Sequence, residues 1–216
     1  MAIGVVGDGR LWKKDLFPEE LIPDILELVM TSWRTFKKPD RLAREVPISK
    51  AFIGKIRAEK NQRGDLPFHV WYELPTLSTQ TEEDGRIDIL FAYIGTPRED
   101  IYFAFECKRL RIPYPSRLDT NNSDYAGDQG MMCFVTGKYS HSIAHAGMIG
   151  YVMDGKTNLA IISLGKLIKR KNAALKLCEN TGLQPSLIML NCHNIRETTH
   201  ILSDKQLKIH HLFLAV

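Results

Sequence analysis

From Pro67 to Leu110 the apolar residues recur at every second position in three successive runs, after two segments in which they recur at helical spacing. This change of period from 3.6 to 2 constrains the fold more than any other feature, because a face that is apolar at alternate residues is buried in a sheet. The runs cover residues 68–74, 86–94 and 100–110, and TEEDG and GTPRED, both rich in turn formers, divide them. Three strands joined as hairpins are expected.

Ahead of them, residues 17–36 repeat Leu21, Ile25, Leu28, Val29, Trp33 and Phe36 along one helical face, with Pro18 suited to a first turn and Pro23 a later point at which the helix can start. A second helix is expected to open near Ser49, a good N-cap, and to carry Phe52, Ile53 and Ile56; Pro47 argues against its running back through Glu45. Residues 111–128 combine prolines with Asn, Ser, Asp and Gly and read as a long loop beside the third strand. Beyond it, 129–139 reads as helix, 146–153 as strand, 159–180 as helix, and 186–191 and 210–216 as strands. The order αα-βββ-α-β-α-β-β gives an α/β (α+β) fold, a central mixed sheet flanked by helices. One domain over residues 1–216 suits a chain of 216 residues that is 44% hydrophobic.

Composition removes several classes. Cys107, Cys133, Cys178 and Cys192 lie far apart with no CxxC spacing, so neither a disulfide framework nor a zinc knuckle is expected. No apolar run reaches the roughly 20 residues of a membrane span, and MAIGVVGDGRLWKK places its charges after its apolar residues, the reverse of a secretory leader. A reducing, cytoplasmic setting without membrane is expected. The net charge of +4 is compatible with a polyanionic partner and decides nothing alone.

The third run carries the chemistry. Ile101, Phe103, Phe105 and Cys107 share one face, while Glu106 and Lys108 stand on the other with Tyr102 and Ala104. In the preceding run Ile87, Ile89 and Phe91 leave Asp88 with Leu90 on the opposite face, so a hairpin brings Asp88 toward Glu106. Two carboxylates converging among apolar residues repel each other unless a cation stands between them. Asp88, Glu106 and a main-chain carbonyl, that of Cys107, suit Mg²⁺, a hard ion that takes oxygen ligands and keeps waters; Mn²⁺ is an acceptable substitute. Lys108 then stands beside a metal-bound water and a phosphate.

In these residues, Asp88 in RIDILF and Glu106 with Lys108 in FECKR, the chain resembles the PD-(D/E)XK nuclease superfamily, the restriction-endonuclease-like fold. Residues 45–153 are similar to its αβββαβ core, although no proline precedes Asp88. The resemblance implies a metal-dependent nuclease, a DNA endonuclease in restriction, phage defence or DNA processing, with DNA favoured over RNA. Many members add a glutamate from the first core helix; Glu45 is the candidate, with Glu59 and Glu73 as alternatives. Some members carry a glutamine where Gln129 opens the next helix, but their following tyrosine is replaced here by Cys133. Lys169, Arg170 and Lys171 on one helix, and Arg109 beside the motif, are candidate phosphate contacts.

Other signals point less far. His141 and His145 are four apart without the glutamate of an H-E-x-x-H enzyme, and GVVGDG lacks the lysine of a P-loop. Of His210 and His211, alternation sends one ring to the core and one to solvent or a neighbouring layer; His193 follows a strand end without an evident partner. Two other functions compete. A non-catalytic or partner-activated nucleic-acid-binding subunit keeps the fold as part of a larger assembly, without turnover of its own; a homodimer or a partner subunit is the assembly considered. A glycosidase-like carboxylate pair fits poorly, since Lys108 lowers the pKa values such an acid must keep high.

Overall fold

The computed structural model describes residues 17–75, 86–96, 98–139, 143–203 and 205–216. After a short 3₁₀ turn, α1 (Ile22–Thr35) and α2 (Glu45–Arg63) precede three strands, β1 (Phe68–Pro75), β2 (Arg86–Tyr93) and β3 (Tyr102–Leu110). A small hairpin of β4 (Ile112–Tyr114) and β5 (Arg117–Asp119) follows, then α3 (Asn122–Tyr125), α4 (Met131–Val135) and β6 (His145–Val152). The chain ends through α5 (Thr157–Arg170), α6 (Asn172–Leu175), β7 (Gln184–Pro185), β8 (Ile195–Ile201) and β9 (Gln206–Ala215).

The main sheet has seven strands in the order β1-β2-β3-β6-β9-β8-β7. It is mixed: β3, β6 and β9 run parallel to one another, and the other pairs are antiparallel. Helices cover both faces. On one side α1 and α2 pack Ile25, Leu28, Trp33, Phe52 and Ile56 onto Phe103, Phe105 and Cys107 of β3. On the other, α3 to α6 pack Tyr125, Phe134, Leu164 and Ile168 onto Tyr102, Ala104, Met148 and Phe213. β6 lies between two strands under both layers, and Gly147 leaves room there for Phe105, whose ring would lie 2.2 Å from an added Cβ.

The three expected hairpin strands are present almost to the residue, and the mixed sheet flanked by helices is the architecture expected. Elsewhere the expectations need correction. α2 starts at Glu45, not Ser49, because Pro47 sits in the first turn, where no N–H is needed for an intrahelical bond. The expected loop 111–128 folds into the β4–β5 hairpin and α3; Arg111 and Asn121, at φ 52° and 51°, bracket the hairpin. The helix expected over 129–139 is only the five residues of α4, and that over 159–180 stops at Arg170, with a left-handed Lys176 (φ 51°) ending α6. Residues 186–191 form no strand; β8 forms instead. His141 lies outside the described residues.

Candidate active site

β3 is central, so both of its faces are covered, and Glu106 (5% exposed) and Lys108 (9%) are buried rather than presented to solvent. Antiparallel pairing of Ile89 with Phe105 sets Asp88 level with Glu106, where the ladder between the two strands ends. The Asp88 carboxylate then takes the place of a strand partner: its Oδ2 accepts the Cys107 N–H at 2.7 Å. Hairpin register thus brings Asp88 level with Glu106 on the neighbouring strand.

The ammonium of Lys108 joins the acidic groups. Its Nζ lies 2.6 Å from Glu106 Oε1, 2.9 Å from the Cys107 carbonyl and 3.4 Å from Glu45 Oε1. Glu45, the first residue of α2, also accepts the Arg109 N–H through Oε2 at 3.0 Å, which ties the helix start to the end of β3. Of the alternatives, Glu59 lies 14 residues further along α2, about 21 Å at 1.5 Å per residue, and pairs with Lys55. Glu73, on β1 at φ 47°, accepts the Tyr72 hydroxyl at 3.2 Å. Glu45 alone of the three reaches Lys108.

Tyr139 completes the arrangement. Its hydroxyl donates to Glu106 Oε2, with the Arg86 carbonyl 3.1 Å away, and its own carbonyl accepts the Tyr102 hydroxyl. Sequence reasoning did not single it out: it stands in a turn 33 positions from Glu106, and no spacing rule links them.

The electrostatics follow from burial. Desolvation, with the nearby Glu106 charge, raises the Asp88 pKa to about 8, against the opposing pull of Lys108. Desolvation also raises Glu106, although the Lys108 ammonium and the Tyr139 hydroxyl oppose the shift. For Lys108, burial disfavours the ammonium, but the surrounding carboxylates outweigh it and hold the amine protonated. Three carboxyl groups thus face one ammonium, and the surplus negative charge is relieved by protonating Asp88 or by adding a cation.

The donor set fits a hard divalent ion: carboxylate oxygens of Asp88, Glu106 and Glu45 and the Cys107 carbonyl, all oxygen. Among the described residues, no three His, Cys, Asp or Glu side chains form a ready-made metal group. The Lys108 ammonium sits between Glu45 and Glu106, so a metal held by both requires the amine to turn away.

A cleft of about 770 Å³ reaches this site at Glu45, Lys108 and Arg109 and is lined further by Asp128, Gln129 and Lys171, whereas Asp88 and Glu106 do not line it. Gln129 lies in the turn before α4, not on a helix, but does face the cleft. Arg109 donates to the Ala43 carbonyl at 3.1 Å while lining it. The basic run divides: Lys171 lines the cleft, whereas Lys169 and Arg170 line a separate depression with Asn122, Ser163 and Lys166.

His210 and His211 are both fully buried, one ring beside Phe103 and the other beside Tyr125, so each faces one of the two layers that cover the sheet. His211 belongs to a directed hydrogen-bond chain. The Leu175 carbonyl can only accept, so His200 carries its proton on Nδ1 (2.6 Å) and accepts the Thr198 hydroxyl at Nε2 (2.7 Å). Thr198 must then accept from His211 Nε2 (2.9 Å), leaving Nδ1 to accept the Tyr125 hydroxyl (3.0 Å). Both rings are neutral, and desolvation lowers both pKa values, that of His200 to about 4.

No helix among the described residues is long and apolar enough to cross a membrane. Comparisons with protein-family models, with curated proteins and with solved structures yield no match.

Proposed function

We propose that this chain is a Mg²⁺-dependent phosphodiesterase, a DNA endonuclease built on a restriction-endonuclease-like core. The observation that carries the reading is the meeting of Glu106, Glu45 and the Cys107 carbonyl around the Lys108 ammonium, with Asp88 on the Cys107 N–H beside them, where Glu45 and Lys108 line a cleft. A structural ion pair needs one carboxylate per ammonium, and three carboxyl groups exceed that need.

Asp88, Glu106 and the Cys107 carbonyl would hold the ion, which when bound lowers the pKa of water and offsets charge on a phosphate. Tyr139 keeps Glu106 in its orientation, and Glu45 fixes the end of β3 through the Arg109 N–H. Lys108 supplies a cation for charge developing on the reacting phosphate. Arg109, Gln129 and Lys171 line the approach for the backbone.

A second reading, an enzyme or binding subunit switched on by a partner, is favoured by one observation: the ammonium is held by three oxygen partners and must be released. The purified chain incubated with circular duplex DNA, linear DNA and RNA, with and without Mg²⁺ or Mn²⁺, tests the primary reading. Metal-dependent nicking or linearisation of circles is expected. Circles left intact while linear ends are degraded would make it an exonuclease, and no cleavage of any substrate would refute the reading for the isolated chain.

A further inference from the structure

A second cavity, of about 590 Å³, lies where the start of α5 meets the start of β8. It is lined by Thr157 and Asn158 of α5, by residues 191–194 and by Arg196 of β8, with no acidic residue among them. Arg196 pairs in register with His211 and Thr198 lies two positions on, so all three share the face of the sheet on which α5 packs. The Nε of Arg196 is buried and has no hydrogen-bond partner among the described residues.

A guanidinium keeps its charge, so an arginine lining a cavity without carboxylates favours an anion there. The nearby carboxylates are committed elsewhere. Asp154 pairs with Arg111 at 2.8 Å and accepts the Lys156 N–H, while Glu197 accepts the Leu187 N–H and lies 3.7 Å from Lys208. Backbone groups at the start of α5 are also engaged: the Thr157 N–H bonds the Gly155 carbonyl, and those of Leu159 and Ala160 bond Lys156. The available donors are therefore side chains: the Arg196 guanidinium, the His193 imidazole, the asparagine amides and the Thr157 hydroxyl.

We propose that this cavity binds a phosphate ester, with Arg196 as its anchor. A charged fork among neutral donors, free of carboxylates, selects an oxyanion, and the volume suits a nucleotide-sized group rather than a bare ion. The ester has two sources, a free nucleotide or a backbone phosphate of the nucleic acid bound in the cleft; the second rests on the nuclease reading. In its favour, the Asn194 carbonyl accepts the Phe213 N–H, Phe213 is in register with Gly150, and Gly150 with Lys108. That row spans three strand spacings, about 14 Å at roughly 4.8 Å each, within reach of one bound nucleic acid.

The test titrates metal-free protein calorimetrically with adenosine monophosphate and with adenosine, and measures affinity for a short DNA duplex over a salt series. Arg196→Gln removes the anchor; Asn158→Asp places a carboxylate on an exposed lining residue and leaves the core untouched. A nucleotide site predicts that the monophosphate binds, adenosine does not, and each variant weakens binding by about tenfold or more. A backbone site predicts weaker duplex binding in both variants, with Arg196→Gln losing about 0.9 of salt slope for the lost phosphate contact. Unchanged nucleotide affinity and unchanged duplex affinity in Asn158→Asp, or no binding of either probe by the parent, overturns the proposal. Cleavage by the parent in Mg²⁺ is scored separately, so its absence with nucleotide binding intact counts against the nuclease reading alone.

Discussion

Asp88 is where the sequence conceded most to chemistry, a carboxyl group among Ile87, Ile89 and Phe91 with a pKa raised to about 8 by desolvation and by Glu106. A raised folded-state pKa contributes stability that is present below the unfolded value, near 3.8, and is lost as pH climbs through about 8. Metal-free Asp88→Asn should therefore gain on the parent steadily across that window, at no more than about 1.4 kcal/mol per pH unit, in denaturant melts at several pH values. Mg²⁺ should reverse the ranking by stabilising only the parent; equal stabilisation of both would remove Asp88 as a ligand. Glu45→Gln should reduce cleavage roughly 10- to 100-fold without unfolding, since it supports Lys108 and the Arg109 N–H; full activity would make Glu45 a bystander. Period two made Asp88, Glu106 and Lys108 legible, because alternation fixes which side chains share a face. Tyr139 was not, because its contact with Glu106 is set by tertiary packing of a turn.

Among the elements, α5 and α6 divide the basic run in a way that a helix read through residue 180 concealed. No glycine or proline marks the break near Lys171, and the left-handed Lys176 has no sequence signal. The consequence is measurable: Lys171→Glu should weaken duplex binding by a catalytically inactive background and make the salt slope shallower by about 0.9, whereas Lys169→Glu with Arg170→Glu should change the slope little. The reverse ranking would place the nucleic acid over the depression beside Ser163 instead. β8 escaped notice because IRETTHI is polar, yet Thr198 and His200 are buried through the hydrogen-bond chain to His211. Leu187 and Leu190, apolar enough to suggest a strand, are 70% and 74% exposed. Thr198→Val keeps the strand-favouring shape but leaves two buried imidazole nitrogens without partners, so it should cost about 2–4 kcal/mol in chemical denaturation. A loss under about 0.5 kcal/mol would show the chain to be incidental.

For the whole molecule, one sheet covered on both faces explains why the site is buried and where it opens. The α1/α2 layer brings Glu45 to the end of β3, the opposite layer brings Gln129 and Lys171, and the cleft lies between them. The mixed architecture was legible from the order of periods, because helices and strands alternate after the first sheet hairpins. Strand order was not, since β9 is inserted between β6 and β8 by contacts that no local pattern encodes. The central claim, that Asp88, Glu106 and Lys108 form one metal-dependent cutting centre, is tested most directly by single-turnover cleavage of circular duplex DNA in Mg²⁺. Parent, Lys108→Ala and Asp88→Asn are compared, each checked for folding by circular dichroism. Cleavage should fall by about 100-fold or more in both folded variants, and parent-like rates in either would contradict the assignment.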